Sequence, residues 1–445
     1  MTVRIANTHA FWGDDRGAPA RMLAGADKLE YLTMDYLAEV TMAVLASQQA
    51  DDPDRGYATD FPDVVAGIIE DALDRDVAIL ANAGGVNPDG CRDAVLEELK
   101  DLGVDATVAT VTGDDFRTRV DEFHSADLEH AYSGDPLPDE AEVLSANAYF
   151  GAFPIAEALA DGADVVVTGR VIDAALILGP LVHEYGWDRT DYDRLARGLM
   201  AGHVIECGTQ ATGGNFYGDW RDIDFATIGF PITAVEPDGT AEFTKPDGTG
   251  GMVTEGTVAE QLLYEVADPE NYYAPDVIAD FKHVELSTVG EDRVRMNGIE
   301  GKPPTDRHKA SLHYHDGWQV RGSLVYSQPN AVTKGETAIE SIRAKADAAG
   351  VEYAAFHGEL FGANALHDDA ASGDVEEVAA RVSVVTPSKG DGYRFGSLFA
   401  PMGMAGPPGT TMLTPGRPSP SPNYVYHPVL VPKSAFDPRV EVVEA

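Results

Sequence analysis

The sequence has few cysteines, few basic residues and no long apolar run, and each shortage excludes a class of protein. Its two cysteines, Cys91 and Cys207, are too few for a disulfide framework and are typical of a reducing compartment. No apolar stretch approaches the ~20 residues that a transmembrane helix needs. Residues 1–10 lack the charged start and apolar run of a signal peptide. We therefore expect a cytoplasmic protein.

The shortage of basic residues is matched by an excess of acidic ones. The 445 residues include 32 Lys and Arg against 74 Asp and Glu, a formal net charge of −42. Nucleic acids and anionic membrane surfaces need basic patches, so the charge argues against both as partners. A disordered acidic chain is excluded because hydrophobic residues make up 44% and recur along the whole length. We expect an acidic surface suited to high salt, where ions screen self-repulsion.

Short apolar runs alternate with helical patterns in the first half of the chain. Val77–Asn82 and Asp164–Thr168 are typical of buried strands, and Cys91–Leu102 has the apolar spacing of an amphipathic helix. Strands separated by helices predict an α/β fold, with a parallel sheet and flanking helices. The sequence favours a doubly wound sheet, and a closed barrel is the alternative.

The pattern changes in the second half, where turn dipeptides separate short β runs. We predict an α/β core domain at residues 1–285 and a smaller C-terminal α+β domain at residues 305–445. Ala310–His315 and Gln319–Tyr326 are predicted as two strands of this second domain. Phe399–Pro422 is rich in Gly, Pro and Ser, and it is predicted as a long loop of the kind that is often functional or mobile.

The first candidate site follows the predicted strand that ends at Thr168. Gly169 would let a ligand approach the backbone, and Arg170 offers a guanidinium fork for a carboxylate or phosphate. Ligands bind beyond the carboxyl ends of strands in open parallel sheets. We therefore predict that Thr168, Gly169 and Arg170 bind substrate and that Asp173, one turn later, is catalytic. The alternative is a helix N-terminus with a surface ion pair.

The second candidate site is a predicted helix followed by a Gly-rich loop. Helical spacing places His203 and Glu206 on one face. This pair suits proton transfer, or metal ligation if another ligand comes from elsewhere, and we predict both residues as catalytic. A solvated polar face is the alternative. Gly213 and Gly214 in the loop are predicted to bind substrate, and Cys207 is interpreted as a small buried side chain rather than a nucleophile.

The third candidate site is the loop that contains Lys245, Thr249 and Gly250. Its composition resembles a phosphate-binding loop, but the residue order of a Walker sequence is absent. We predict an anion site built from backbone amides, with a plain β-turn as the alternative. Asn82 and Asn87 flank the turn after an earlier strand, and they are also predicted to contact substrate.

Other polar residues are interpreted as caps, turn formers or solvated faces. They are Asp35 and Glu39 after the second strand, His9, Asp14, Asp15 and Arg16 in the first loop, and His313 and His315 on a predicted strand. No spaced Cys/His quartet, Gly-x-Ser-x-Gly or Gly-x-Gly-x-x-Gly is present, which argues against zinc, α/β-hydrolase and simple dinucleotide chemistry. No cofactor is identified from these patterns, and the metal status is left open.

A set of distinctive strings runs from the first half of the chain to near its end. They are Ser145–Tyr149, Pro154-Ile155, Gly162–Asp173, Pro180–Trp187, Gly202–Cys207, Thr212–Gly214, Gly229–Pro231, Thr244–Gly251, Glu260–Val266 and Asp316–Trp318. Together they resemble the acyclic terpene utilisation protein AtuA family, in a haloarchaeal-like form. The opening segment His9–Trp12 departs from that family's Gly-rich loop. The resemblance implies a role in the breakdown of acyclic terpenes such as citronellol, alongside acyl-CoA carboxylases and hydratases.

Two hypotheses of function follow from these patterns. The first is a lyase or hydratase of a branched carboxylic acid or CoA ester, in which Arg170 holds a carboxylate or phosphate and His203 or Glu206 moves a proton. The second is a non-catalytic subunit that binds a CoA ester or assembles with a small partner protein through Phe399–Pro422. Under both hypotheses, the expected ligand is a small carboxylate or an acyl-CoA. If the substrate is an acyl-CoA, its CoA moiety takes the place of a cofactor. We also expect a homo-oligomer.

Overall fold

The computed structural model of this chain describes residues 2–139, 141–363, 365–366, 375–413 and 416–445. The α-helices of these residues are α1 Ala18–Gly25, α2 Glu39–Asp51, α3 Phe61–Ala66, α4 Ile69–Leu73, α5 Pro88–Leu102, α6 Phe153–Ala160, α7 Ala175–Tyr185, α8 Tyr192–Glu206, α9 Glu255–Leu263, α10 Ala331–Ala348, α11 Lys389–Gly396 and α12 Phe399–Ala405. The strands are β1 Val3–Asn7, β2 Tyr31–Met34, β3 Ala78–Ala81, β4 Thr107–Thr112, β5 Glu142–Ala148, β6 Val165–Thr168, β7 Ile232–Val235, β8 Ala241–Thr244, β9 Tyr272–Tyr273, β10 Ile278–Asp280, β11 Glu285–Gly290, β12 Arg293–Asn297, β13 Glu300–Lys302, β14 Arg307–Ser327, β15 Ala355–Phe361, β16 Glu377–Thr386, β17 Thr411–Met412, β18 Ser421–Pro432 and β19 Arg439–Glu444. Short 3-10 helices span Arg117–Glu122, Ser125–Leu128, Gly208–Thr212, Trp220–Asp222, Phe225–Thr227 and Lys433–Ala435.

A large mixed sheet organises the first half of the chain. In the described residues its 10 strands lie in the order β11-β12-β8-β7-β1-β2-β3-β6-β4-β19. The central strands β1, β2, β3, β6 and β4 are parallel, and the strands on either side of this group pair antiparallel. The predicted α/β class with parallel strands and helices is therefore confirmed. The parallel group matters for function because its carboxyl ends all meet at one edge.

Helix α5 illustrates how the local sequence fixes an element. Asn87 caps its start by accepting a hydrogen bond from the Gly90 amide (3.0 Å), and Pro88 occupies the first turn, where a missing N–H costs nothing. Gly103 ends the helix in a left-handed conformation, with φ at 71°. Cys91, which is buried, begins the helical face that packs into the core. The amphipathic helix predicted over Cys91–Leu102 is thus confirmed.

Helices cover both faces of the parallel strands, because neighbouring strand residues point to opposite sides. Leu32, Ile79 and Val165 lie in one core cluster with residues of α1, α3, α4 and α5. Tyr31, which precedes Leu32 on β2, points the other way and donates a hydrogen bond to Glu184 of α7 (2.7 Å). None of the helices in the described part of the chain combines the length and apolarity required to cross a membrane.

Contacts divide the chain into two compact units. The main unit contains residues 2–139, Val143–His313 and Tyr426–Ala445, and the second unit contains residues 141–142 and Tyr314–Val425. The main unit includes the large sheet and a small antiparallel sheet, β13-β10-β9. The domain boundary between residues 285 and 305 that composition suggested stays a prediction.

The second unit contains an antiparallel sheet packed against helices. Strand β16 lies between β15 and β14, and β17 pairs with the far side of β14. Its apolar cluster joins Val320 and Leu324 of β14 to Ile342 of α10, Phe395 of α11 and Phe399 of α12. This burial gives the short helices α11 and α12 a stabilising partner that their length alone would not provide.

Two predictions in this region need correction. Ala310–His315 and Gln319–Tyr326 are β-structure, as predicted, but they form one strand, β14, because Gly317 takes a positive φ of 76° without reversing the chain. A β-carbon at Gly317 would lie 2.5 Å from the Thr386 carbonyl oxygen of β16, so glycine is needed there. The predicted loop Phe399–Pro422 contains helix α12, strand β17 and the start of β18, and its residues 414–415 lie outside the described residues. The apolar side chains Phe399 and Met402 of α12 are fully buried, which outweighs the local Gly and Pro content.

Candidate active site

The parallel strands of the main unit end in a row of buried polar residues. Within two residues of the carboxyl ends of β1, β2, β3, β4 and β6, in that order, lie His9, Asp35, Asn82, Asp114 and Arg170. None of these residues exposes more than 5% of its surface. Buried polar groups are expensive unless they are paired. Their concentration at the edge where α/β proteins bind ligands makes this row the candidate active site.

Arg170 is the centre of this row. Its Nε donates to the carbonyl of Val171 (2.8 Å), one terminal nitrogen donates to the carbonyl of Leu37 (2.7 Å), and the other forms an ion pair with Asp173. The guanidinium carbon lies 4.4 Å from the ring centroid of Tyr149, a cation–π distance. Each nitrogen of the guanidinium therefore has a protein partner. Arg170 acts first as an internal counter-ion, and its predicted contact with substrate stays a prediction.

Asp35 is the second carboxylate near Arg170. It accepts hydrogen bonds from the amide of Leu37 (3.0 Å) and the side-chain nitrogen of Asn82 (2.6 Å), whose own oxygen accepts from the Tyr36 amide (2.6 Å). Burial raises the pKa of Asp35 well above its ordinary value, and the charge of Asp173 adds to the rise while Arg170 opposes it. Asn82 is thus committed to positioning Asp35.

Asp173 is more accessible, with 33% of its side chain exposed. Burial of the carboxyl group raises its pKa to about 7, and although Arg170 opposes this shift, the negative charges of Glu206 and Glu39 support it. A carboxyl group that titrates near neutrality exchanges protons readily at working pH. This exposed edge of the cluster is where a substrate can meet it.

His203 and Glu206 form the third part of the cluster, as the helical spacing predicted. The Nδ1 atom of His203 lies 3.0 Å from a Glu206 oxygen at the end of α8, and both residues are buried. Burial by itself would lower the pKa of His203, but the hydrogen bond and charge of Glu206 raise it above its ordinary value. The ring of Tyr272 of β9 lies beside the imidazole, with ring centroids 5.1 Å apart and the ring planes tilted by 48°.

Strand β1 ties this helix end to the row of strand ends. The side-chain nitrogen of Asn7 donates to the carbonyls of Ile205 (2.9 Å) and Glu206 (2.8 Å) at the end of α8, where the last carbonyls of a helix lack partners in the next turn. It also donates to the carbonyl of His9 (2.8 Å). The catalytic pair predicted on α8 is therefore held against the carboxyl edge of the sheet by a single amide side chain.

Asp114 lies behind Arg170 and accepts hydrogen bonds from the Arg170 amide (3.0 Å) and from Asn147 (2.8 Å). Burial raises the pKa of Asp114 to about 6 despite these bonds. A β-carbon on Gly169 would lie 2.5 Å from an Asp114 oxygen. The predicted site residue Gly169 is therefore required by close packing. Thr168, which is fully buried, directs its hydroxyl at the Gly169 carbonyl (2.9 Å).

The two glycine turns lie next to each other, since the amide of Met252 donates to the carbonyl of Thr212 (2.8 Å). Their amides are already engaged. Gly213 donates to Gln210, Gly214 to Thr209, Thr249 to Pro246 and Gly250 to Thr227, in each case to a backbone carbonyl. The ammonium of Lys245 donates to the Thr249 carbonyl (2.9 Å) and pairs with Asp292 (2.9 Å). Binding of an anion by these turns stays a prediction.

A cleft of about 580 Å³ adjoins the turns. It is lined by Asp14, Asp15, Ala18, Arg21, Met22, Thr209, Phe225–Phe230, Pro246, Gly248 and Thr249. Gln261 connects this region to α8, because it donates to the His203 carbonyl (3.2 Å) and accepts from Gln210 (2.9 Å). Among the predicted site residues, Thr168, Gly169, Arg170, Asp173, His203, Glu206 and Asn82 therefore share one cluster, and Lys245, Thr249, Gly250, Gly213 and Gly214 form a neighbouring group.

Asn87 belongs to neither group. Its side-chain oxygen caps α5, and its nitrogen donates to the carbonyl of Arg55 (2.9 Å), so both ends of the amide serve the fold. Cys207 is half-buried, and burial raises the pKa of its thiol, which disfavours the reactive thiolate. His313 is buried and contacts the Ser145 hydroxyl (3.0 Å), so its interpretation as part of a solvated face was wrong.

Several residues of the site were missed or ranked low by sequence reasoning. The sequence pattern around Asp35 indicates only a cap or turn former, although Asp35 follows a parallel strand just as Arg170 does. Asp114 follows the parallel strand β4 in the same way, so the rule that ligands bind beyond the carboxyl ends of parallel strands could have found it. Tyr272 lies on a two-residue strand whose position depends on tertiary pairing, so no local pattern points to it. No group of three or more His, Cys, Asp or Glu in the described residues is arranged as a metal site.

Comparison with known proteins gives one family. The family model described as acyclic terpene utilisation family protein AtuA matches residues 3–442, which covers nearly the whole chain and confirms the resemblance. No curated protein and no solved structure gives a significant match.

The packing of Gly169 against Asp114 predicts a strong steric effect. Gly169→Ala should lower the free energy of unfolding by ~1–3 kcal/mol, because the added methyl group collides with a buried carboxylate. Gly67→Ala is the matched control, since its β-carbon would meet its nearest atoms at 3.5 Å, an ordinary contact. Urea unfolding of both variants measures the difference. Equal stability of the two variants would contradict the packing described here.

The raised pKa of Asp114 predicts a pH-dependent stability. In the folded protein the Asp114 carboxyl group has a pKa of about 6, above its ordinary value of 3.8. The protonated group therefore stabilises the fold at low pH, and this contribution is lost as the pH rises through 6. Asp114→Asn should remove the dependence. The gap between the unfolding free energies of wild type and variant should change by ~1 kcal/mol between pH 5 and 7.5. If urea titrations gave the same difference in unfolding free energy between wild type and variant at both pH values, Asp114 would titrate normally and the prediction would be wrong.

Proposed function

The chain belongs to the acyclic terpene utilisation protein AtuA family, and from this premise we propose that it is a lyase or hydratase acting on a branched carboxylic acid or CoA ester. The observation that carries the proposal is the cluster of Asp35, Arg170, Asp173, His203 and Glu206 at the carboxyl edge of the parallel strands. It combines two carboxyl groups, those of Asp35 and Asp173, whose pKa values burial raises, a histidine whose pKa Glu206 raises, and one buried guanidinium. Groups of this kind perform general acid–base catalysis.

The proposed chemistry is a proton transfer beside a carbonyl group. In the hydratase direction, the oxygen of water forms a bond to the β-carbon of an α,β-unsaturated substrate while Asp173 takes the water proton. The electron pair of the broken carbon–carbon π bond moves to the α-carbon, which receives a proton from His203 of the His203–Glu206 pair. Elimination of water is the same sequence reversed. Asp173 suits the role of base because a third of its side chain is exposed and its pKa lies near neutrality. His203 suits the role of acid because Glu206 favours its protonated form.

We propose the remaining site residues as binding groups around these three. Arg170 would supply positive charge behind the carboxyl end of the substrate, and Thr168, Gly169 and Asn82 would hold that part of the site in place. Thr249 lines the cleft of about 580 Å³, and the turns that contain Gly213, Gly214, Lys245 and Gly250 adjoin it. This cleft would hold a CoA moiety or an acyl chain. Asn87 would contribute only through the position of helix α5.

The wider setting is also part of the proposal. A net charge of −42 supports a cytoplasmic protein of a salt-rich cell. The open order of the large sheet, with helices on both faces of its parallel strands, supports a doubly wound core over a barrel. A homo-oligomer, or an assembly with a small partner subunit, would be compatible with the same active site.

Solvent deuterium provides a test that does not require the natural substrate to be known. The purified chain should incorporate deuterium next to the carbonyl of a branched acyl-CoA or free acid in deuterium oxide, as measured by mass spectrometry. Asp173→Asn and Glu206→Gln should each slow this exchange by about a hundredfold or more, because each removes a proton-transfer group.

The matched controls for these variants are Asp161→Asn and Glu157→Gln, which change exposed carboxylates of the same main unit. Both controls should retain wild-type exchange. Exchange by the single chain would exclude a purely non-catalytic subunit. Wild-type exchange in both Asp173→Asn and Glu206→Gln would refute the assignment of the catalytic residues.

The charge of Glu39 makes a second prediction about the same site. Glu39 raises the pKa of Asp173, so Glu39→Gln should lower that pKa and shift the rising limb of the pH–rate profile to lower pH, by roughly 0.3–0.5 unit. The limb of the wild type should lie near pH 7. Glu157→Gln is the control and should leave the profile unchanged. A shift to higher pH, or none, would argue against Asp173 as the base.

A further inference from the structure

A second polar group adjoins Arg170 and has no role in the proton transfer proposed above. It consists of Tyr149, Lys309 and Tyr426, all in the main unit. We propose that these three side chains form the subsite that binds the carboxylate of the substrate, a small organic acid. The inference deepens the proposed function and rests on it for the identity of the substrate class, but its test measures binding alone.

The backbone holds Tyr149 between two strands. The amide of Tyr149 donates to the carbonyl of Lys309 on β14 (2.9 Å), and the next amide, that of Phe150, donates to the carbonyl of Arg170 (3.2 Å). Phe150 also forms a parallel bridge with Val171. The tyrosine ring is thereby fixed between Lys309 on one side and the end of β6 on the other. A rigid first layer of this kind is what a binding subsite requires.

Two cations face the ring of Tyr149. The guanidinium carbon of Arg170 lies 4.4 Å from its centroid and the ammonium of Lys309 lies 5.1 Å from it. The same ammonium lies 6.0 Å from the ring centroid of Tyr426. Arg170 is neutralised by Asp173, whereas the ammonium of Lys309 has neither a carboxylate nor a hydrogen-bond acceptor within the described residues. An anion would supply the missing counter-charge.

The two tyrosine hydroxyls are the strongest indication of a ligand. Both oxygen atoms are buried, and neither forms a hydrogen bond of ordinary geometry with the described residues, although the Tyr149 hydroxyl lies near enough to that of Tyr426 to raise the pKa of Tyr426. Tyr149 exposes only 6% of its surface. A buried hydroxyl without a partner costs ~1–3 kcal/mol, so two such groups next to a free ammonium call for an acceptor that is not part of the protein. The oxygen atoms of a carboxylate would satisfy both.

The protonation states of the surrounding groups suit an anion. Burial raises the pKa of both tyrosines, so their hydroxyls remain donors at neutral pH. His313 packs against Tyr426, with ring centroids 5.4 Å apart, but burial lowers its pKa to about 4 and it adds no positive charge. The negative charge of Glu39 also acts on both tyrosines. Lys309 is therefore the group that makes the subsite attractive to a carboxylate rather than to a neutral amide.

Isothermal titration calorimetry with 3-methylbut-2-enoate, a short branched carboxylate, tests the subsite. Lys309→Met, Tyr149→Phe and Tyr426→Phe should each weaken binding about tenfold or more, because each removes one interaction with a charged oxygen. The amide of the same acid should bind wild type at least about tenfold more weakly. The two Phe variants remove a single atom each, so they carry the test if Lys309→Met does not fold.

Controls separate this inference from the proposed reaction. Lys389→Met removes another lysine that contacts a ring, that of Trp318 at 4.9 Å, and Tyr217→Phe removes a hydroxyl from a side chain that is 90% exposed. Both should bind the acid like wild type. Asp173→Asn should lose deuterium exchange but should still bind 3-methylbut-2-enoate. A failure of the proposed catalysis would therefore not affect the binding result. The subsite is refuted if wild type does not bind the acid, if the amide binds equally well, or if the three variants all bind like wild type.

Discussion

The site depends on one guanidinium near two carboxylates, that of Asp35, which is buried, and that of Asp173, whose side chain is one-third exposed. Arg170 pairs with Asp173 directly and opposes the rise in the pKa of Asp35, yet a single positive charge cannot neutralise both acids. A carboxylate removed from water without full compensation takes up a proton instead. The same guanidinium bonds to the carbonyls of Leu37 and Val171, so it also fixes the turn after β2 and the turn after β6. Loss of this one residue would disturb charge and geometry together.

The parallel sheet explains why these groups meet. Residues far apart in sequence follow the carboxyl ends of neighbouring strands, and those ends lie at one edge. Helix α8 adds His203 and Glu206 because Asn7, at the end of β1, binds the carbonyls at its last turn. A carboxylate on a protein surface costs little free energy because water solvates it and salt screens its charge. The buried carboxylates of the site are instead held in place by the hydrogen-bond donors described above.

Much of this arrangement was predictable from sequence, and the remainder has physical reasons. Arg170 with Asp173, and His203 with Glu206, were found because a strand end and a helical face are local patterns. The subsite of Tyr149, Lys309 and Tyr426 was not found, because its residues come from distant segments that only strand pairing brings together. The amides of the two glycine turns were expected to be free for an anion, but those of Gly213, Gly214 and Thr249 donate to carbonyls within the turns, and that of Gly250 donates to the Thr227 carbonyl. Composition reveals a turn, but it does not reveal which donors the turn consumes.

The central claim is that the two carboxylates around Arg170 hold a proton near neutral pH. Carbon-13 NMR of protein labelled at the aspartate carboxyl carbon measures this directly, with Asp35→Asn and Asp173→Asn spectra assigning the two resonances. We expect the Asp35–Asp173 pair to retain a proton well above the ordinary aspartate pKa of 3.8 and to release one near pH 7. Titration of both residues below pH 5 would mean that Arg170 neutralises them fully, and the account of the site would be wrong.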